Sequence, residues 1–174
     1  MKRILLSVVA LGVIAATAAS AQHVSVSLGA GGIVPTGDYS TLDNAGWHAL
    51  GAVEVGLPKA PISIRADLMY GQTGHDATFS LSGNTTLTGG TASAVYYIGA
   101  PKTPVRLYVL AGLGYYNVDV SGTSDSKVAF GGGTGVKMGM GPVHLFAEGR
   151  WMSIQTSGSA LSFFPVTLGM TFGM

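Results

Sequence analysis

Ile62-Ser63-Ile64-Arg65-Ala66-Asp67-Leu68-Met69-Tyr70 is the stretch on which the fold turns. Successive side chains of an extended strand point to opposite faces. Ile62, Ile64, Ala66, Leu68 and Tyr70 therefore share one face, and Ser63, Arg65 and Asp67 share the other. Val143–Trp151 follows the same rule, with Val143, Leu145, Ala147, Gly149 and Trp151 opposite His144, Phe146, Glu148 and Arg150. Leu107, Val109, Ala111, Leu113 and Tyr115 oppose Arg106, Tyr108 and Tyr116, while Ala49, Gly51, Val53, Val55 and Leu57 oppose His48 and Glu54. Lys137 lies opposite Val136 and Met138. Glu54, Arg65, Asp67, Arg106, Lys137, Glu148 and Arg150 thus all fall on the polar faces, and the other face of these strands is free of charge. A soluble ligand-carrying barrel needs the reverse arrangement, with a charged exterior. Here the charges point into a lumen and the uncharged face meets lipid.

Period-two patterning divides the chain into eight segments: Val24–Val34, Trp47–Leu57, Ile62–Gln72, Leu87–Ile98, Val105–Val118, Lys127–Met138, Val143–Ser153 and Phe164–Phe172. Each is close to the 9–11 residues, roughly, that a tilted strand needs to cross a bilayer. Pro/Gly-containing turns follow segments two, four and six, at Pro58–Pro61, Gly99–Pro104 and Gly139–Pro142. Longer polar loops follow the others, at Pro35–Gly46, Thr73–Thr86, Asp119–Ser126 and Ile154–Phe163. Short turns on one rim and long loops on the other suit an outer-membrane barrel with both termini on the periplasmic side. By parity, Trp47, Tyr70, Tyr115, Phe130, Trp151 and Phe164 lie on the lipid face at the long-loop end. Tyr96 and Phe172 lie at the short-turn end, so the aromatics form two girdles.

Composition agrees with this reading. Charged residues make up 10% of the 174, against about 25% in an ordinary soluble domain. A net charge of +1 without a Lys/Arg run gives no footprint for nucleic acid. The chain has no cysteine, which excludes a disulfide framework, a thiol nucleophile and a Cys-ligated zinc. Four histidines without ligand spacing give no metal signal. At the N-terminus, Lys2-Arg3, an apolar run from Ile4 to about Ala15 and Ala19-Ser20-Ala21 form a signal peptide over residues 1–21, cleaved before Gln22. Residues 22–174 are expected to form a single barrel domain. No later segment is a continuous apolar run of membrane-helix length, so a membrane-spanning chain must close its hydrogen bonds as a barrel.

Several stretches resemble a known group, the small eight-stranded outer-membrane β-barrels of the OmpA-like and OmpX-like outer membrane protein beta-barrel domain family. Val34–Tyr39 (VPTGDY) is similar to the end of the family's first strand. Tyr108–Tyr116 (YVLAGLGYY), Phe130–Gly135 (FGGGTG) and Leu145–Trp151 (LFAEGRW) resemble its fifth, sixth and seventh. Phe164–Phe172 (FPVTLGMTF) resembles the closing strand, although Gly173 and Met174 follow the terminal aromatic. The resemblance implies an all-β, up-and-down antiparallel transmembrane barrel in the outer membrane, a monomer without cofactor. Its partners would be outer-membrane lipid and lipopolysaccharide and, during biogenesis, the Sec translocon, periplasmic chaperones and the barrel-assembly machinery. No peptidoglycan-binding domain is expected after the eighth strand.

An eight-stranded barrel is just wide enough for side chains to fill it. Gly131, Gly133 and Gly135 face inward and make room for Phe146, Glu148 and Arg150. The turn at 58–61 sets Glu54 near Arg65 across one hairpin, so a lumen ion pair is expected between them. Function is then expected to be structural, with a polar side-chain plug and a role in envelope integrity. The alternatives are adhesion or host interaction through the loops, a lipid-modifying enzyme, and a narrow ion path along the charges. For catalysis the chain offers His48 at the top of segment two and His75-Asp76 with Ser80 in the second loop, without a recognisable motif. Enzymatic activity is not expected. His144 reads as a lumen group near the short-turn end.

Overall fold

The computed structural model describes residues 23–37, 44–58, 60–74, 84–99, 103–120, 123–140, 143–155 and 160–173. The signal peptide and the His75-Asp76-Ser80 group lie outside the described residues. Eight strands follow in order: β1 Val24–Thr36, β2 Gly46–Gly56, β3 Ile62–Gly74, β4 Asn84–Ile98, β5 Val105–Val120, β6 Thr123–Met140, β7 Val143–Gln155 and β8 Ala160–Phe172. Each pairs antiparallel with its chain neighbours, and β1 pairs with β8 to close the barrel. Closure leaves no open edge along the membrane-spanning ladders, which lipid requires of any backbone that is not helical.

The register fixes the stagger. Followed strand to strand, Val26 leads through Val53, Ala66, Ala92, Leu113, Phe130, Ser153 and Ser162 back to β1 at Thr36, ten residues further on. That shear tilts the strands by roughly 35–45° from the barrel axis. Outward positions are the most exposed apolar residues, with Leu113 at 67% and Leu168 at 64%. All eight girdle aromatics are exposed on this face. Trp47 packs on Tyr70 and Phe130 on Trp151, both with ring centroids 5.8 Å apart.

The strands run past the period-two segments at the long-loop end. Asp119–Ser126 reads as a polar loop, yet β5 and β6 pair up to Val120↔Thr123, leaving only residues 121–122 between them. Above the membrane both faces of a strand meet water. The hydrophobic alternation then disappears while the hydrogen-bond ladder continues. Among the described residues β6 pairs with β7 from Ala129↔Ile154, and its residues 123–128 have no described ladder partner on that side.

The interior is not uniformly polar, as the sequence reading expects. Ile33, Met69, Leu87, Tyr116, Val118, Ala129, Met152, Ile154 and Phe163 form a buried apolar cluster at the long-loop end. Met69, Tyr116, Ala129, Met152 and Phe163 are the chain neighbours of Tyr70, Tyr115, Phe130, Trp151 and Phe164. The outer girdle and this plug therefore share one level, the girdle facing lipid and the plug facing inward. Inward glycines admit the bulky groups. A Cβ at Gly135 would overlap the Tyr108 ring, one at Gly131 would strike Met152, and one at Gly133 would crowd Arg150.

Candidate functional site: the charged lumen

Below the apolar plug, inward charges from opposite walls meet. Strands β3 and β7 lie four apart in a ring of eight, and each contributes two charges at alternate positions. Arg65 Nη1 donates to Glu148 Oε2 at 2.7 Å, and Arg150 Nε donates to Glu148 Oε1 at 2.5 Å. Arg150 Nη1 reaches both Asp67 oxygens at 3.1 Å, and Arg65 Nε lies 3.7 Å from Asp67 Oδ2. The four side chains close a ring of alternating sign. Tyr108 Oη donates to Glu148 Oε2 at 2.7 Å. All five residues are buried.

A second cluster lies nearer the short turns and again joins strands four apart, β2 and β6. Lys137 Nζ donates to Glu54 Oε2 at 3.0 Å and to Tyr97 Oη at 2.6 Å. Tyr97 Oη in turn donates to Glu54 Oε1 at 2.5 Å. Arg106 stacks its guanidinium 4.1 Å from the Tyr97 ring centroid.

This geometry corrects one expectation. Glu54 and Arg65 are register partners across the β2–β3 hairpin, but they do not pair. Arg65 goes to Glu148 and Glu54 to Lys137. In an open hairpin, facing side chains are each other's best partners. In a closed barrel, long inward side chains converge on the axis and meet tips from the opposite wall. Buried charges persist only with such close geometry and added hydrogen bonds. Of the seven charges placed on the polar faces from the sequence, Arg106 is half-buried and the other six are buried.

Tyr97 and Tyr108 complete both clusters and were not singled out from sequence as network members. Tyr108 shares inward parity with Arg106. The signal for Tyr97 is its position directly after the girdle residue Tyr96, which puts it on the opposite face.

Higher in the lumen, His48 Nε2 lies 2.8 Å from Thr167 Oγ1. A hydroxyl beside an imidazole is a nucleophile–base arrangement in kind. Both residues are buried in the barrel interior, without the access that a substrate needs. Among the described residues no group of three His, Asp or Glu side chains gathers to hold a metal. The chemistry this arrangement performs is mutual neutralisation and bracing across the lumen.

The sequence profile of the family described as "Outer membrane protein beta-barrel domain" matches residues 4–172. No curated protein matches the chain by sequence. The chain is similar in structure to Neisserial surface protein A (NspA), with 18% identity, 87% of this chain and 97% of that one covered, and a TM-score of 0.65. It is similar to the outer membrane enzyme PagL, with 14% identity, 86% and 99% coverage and a TM-score of 0.55. It is also similar to Ail, the attachment invasion locus protein of Yersinia pestis, solved with the heparin analogue sucrose octasulfate. The values there are 16% identity, 87% and 98% coverage and a TM-score of 0.55.

Proposed function

The chain belongs to the outer membrane protein beta-barrel domain family and resides in the outer membrane, and from that premise we propose that it is an envelope-stabilising barrel with a closed lumen. The supporting observation is the filling of the lumen along its length. Ile33, Met69, Met152 and Phe163 occupy the outer mouth, and beneath them the β3–β7 and β2–β6 ion clusters span the barrel. An apolar constriction at the girdle level opposes the passage of hydrated ions, and below it six of the seven lumen charges are paired with one another. Planar-bilayer recording of the folded protein tests this reading. Sporadic or no current is expected, and a steady large conductance would overturn it. For an enzymatic role like that of PagL, the imidazole–hydroxyl pair His48 and Thr167 is buried in the lumen.

A second reading, interaction through the outer surface, is favoured by the β5–β6 hairpin. Its β6 residues 123–128 carry the hairpin roughly 20 Å along the strand beyond the last β7 pairing. An unpaired strand edge can accept an extended peptide. Replacing residues 119–124 with a two-residue Asn-Gly turn would close the hairpin at Val118↔Asp125. Loss of surface binding with the barrel intact would support this reading. Unchanged binding would remove the hairpin from it.

A further inference from the structure

The lumen holds four cations and three acids. Asp67 and Glu148 are taken by Arg65 and Arg150, and Glu54 is taken by Lys137. Arg106 is left with no acid among the described residues. Its register partner is Lys137, another cation, and its Nε is buried without a hydrogen-bond partner. Stacking on Tyr97 offsets part of the charge but fills none of the N–H donors.

Lys137 and Phe146 face Arg106 directly, and His144, half-buried on β7 and paired in register with Gly139, stands two residues nearer the short turns. Its Nδ1 is also buried without a partner. Gly139 leaves room for the His144 ring, since a Cβ there would come within 3.2 Å of His144 Nε2. With one strand between them, the Arg106 and His144 Cα atoms are roughly 10–12 Å apart. The short turns at 58–61, 99–104 and 139–142 contain Lys59 and Lys102 but no acid, whereas Asp38, Asp43, Asp76, Asp119 and Asp125 all belong to the opposite end. By sequence the turns at this end therefore carry only positive charge, and a surplus of one sign concentrates its counter-ions.

We propose that Arg106 and His144 form a phosphate-binding site at the periplasmic mouth of the lumen. Arg106 supplies the planar donor fork that suits phosphate oxygens, and His144 caps the group from the far side of β6. The phosphate comes either from an inner-leaflet phospholipid headgroup or from a free phosphate ester.

The test uses the whole folded protein, nitrogen-15 labelled, in nanodiscs of zwitterionic lipid. The Arg106 Nε–Hε resonance is assigned by its disappearance in Arg106→Gln. Heat-modifiable gel mobility checks that each variant is folded. Inorganic phosphate should shift that resonance saturably where chloride at equal ionic strength does not, and His144→Ala should weaken the response about tenfold or more. A shift seen only when phosphatidylglycerol is built into the disc assigns the site to headgroups. A shift with free phosphate in zwitterionic discs assigns it to solutes. An Arg106 resonance that ignores both, or that follows chloride equally, overturns the proposal.

Discussion

Replacing Glu54 by Gln would leave Lys137, which stands beside Arg106, without its acid. The Nζ–Oε2 separation of 3.0 Å corresponds to a gross attraction of about 5–6 kcal/mol at an effective dielectric of 20. Desolvation of both ions offsets most of this, so the pair adds little net stability. Stranding one partner is expensive, at roughly 3–5 kcal/mol. Glu54→Gln and Lys137→Met should therefore each destabilise by about that amount. The double variant, with both charges gone, should recover to within roughly 1–2 kcal/mol of the parent. The coupling energy from that cycle is expected to be about 4 kcal/mol or more. The cycle of Glu54→Gln with Arg65→Met, the register partner, should give less than about 0.5 kcal/mol. Denaturant unfolding from phospholipid vesicles, where unfolding and refolding curves superimpose, measures both, with Trp47 and Trp151 as the only tryptophans. A large coupling to Arg65, or none to Lys137, would refute the argument that closure selects partners across the lumen.

Three further outcomes follow from the same geometry. Gly135→Val should cost about 1–3 kcal/mol because its side chain collides with Tyr108, while Gly51→Ala on the lipid face, where a Cβ meets only Leu28 at 3.8 Å, should change stability by less than about 0.5 kcal/mol. The denaturant midpoints of the two variants check this. Leu168→Arg, midway along β8 between Phe164 and Phe172, should cost roughly 2–4 kcal/mol, whereas Val128→Arg beyond the outer girdle should cost about 0–1 kcal/mol in the same assay. Phe163→Ala combined with Met152→Ala removes two of the largest buried plug side chains and should raise conductance in planar bilayers over the parent, while Ser27→Ala below the plug should not.

Which residues face inward is legible in the sequence, because period two is enforced wherever one face meets hydrocarbon. Arg65 and Asp67 alternate with Ile64, Ala66 and Leu68, and no other strand register keeps those charges out of lipid. What each inward residue touches is not legible, because that depends on shear and closure, which bring β3 opposite β7 and β2 opposite β6. The hairpin rule pairs Glu54 with Arg65, since it sees two strands and not eight. The apolar plug escapes the pattern for a related reason. At the outer end Met152 and Phe163 face inward beside Trp151 and Phe164 facing out, so both faces are apolar and alternation carries no contrast. Past the girdle the reverse holds along Asp119–Ser126, where both faces are polar and a continuing strand reads as a loop.

The central claim is that strand parity sorts this chain into a lipid face and a lumen. Trp47 and Trp151 both stand on the proposed lipid face at the outer girdle, 51% and 43% exposed. Their fluorescence in vesicles carrying quencher-labelled phospholipids tests the sorting directly. The account predicts strong quenching by labels near the headgroups, weaker quenching by labels deep in the acyl chains, and little by aqueous acrylamide. Tryptophans open to acrylamide and indifferent to the lipid-borne quenchers would contradict it.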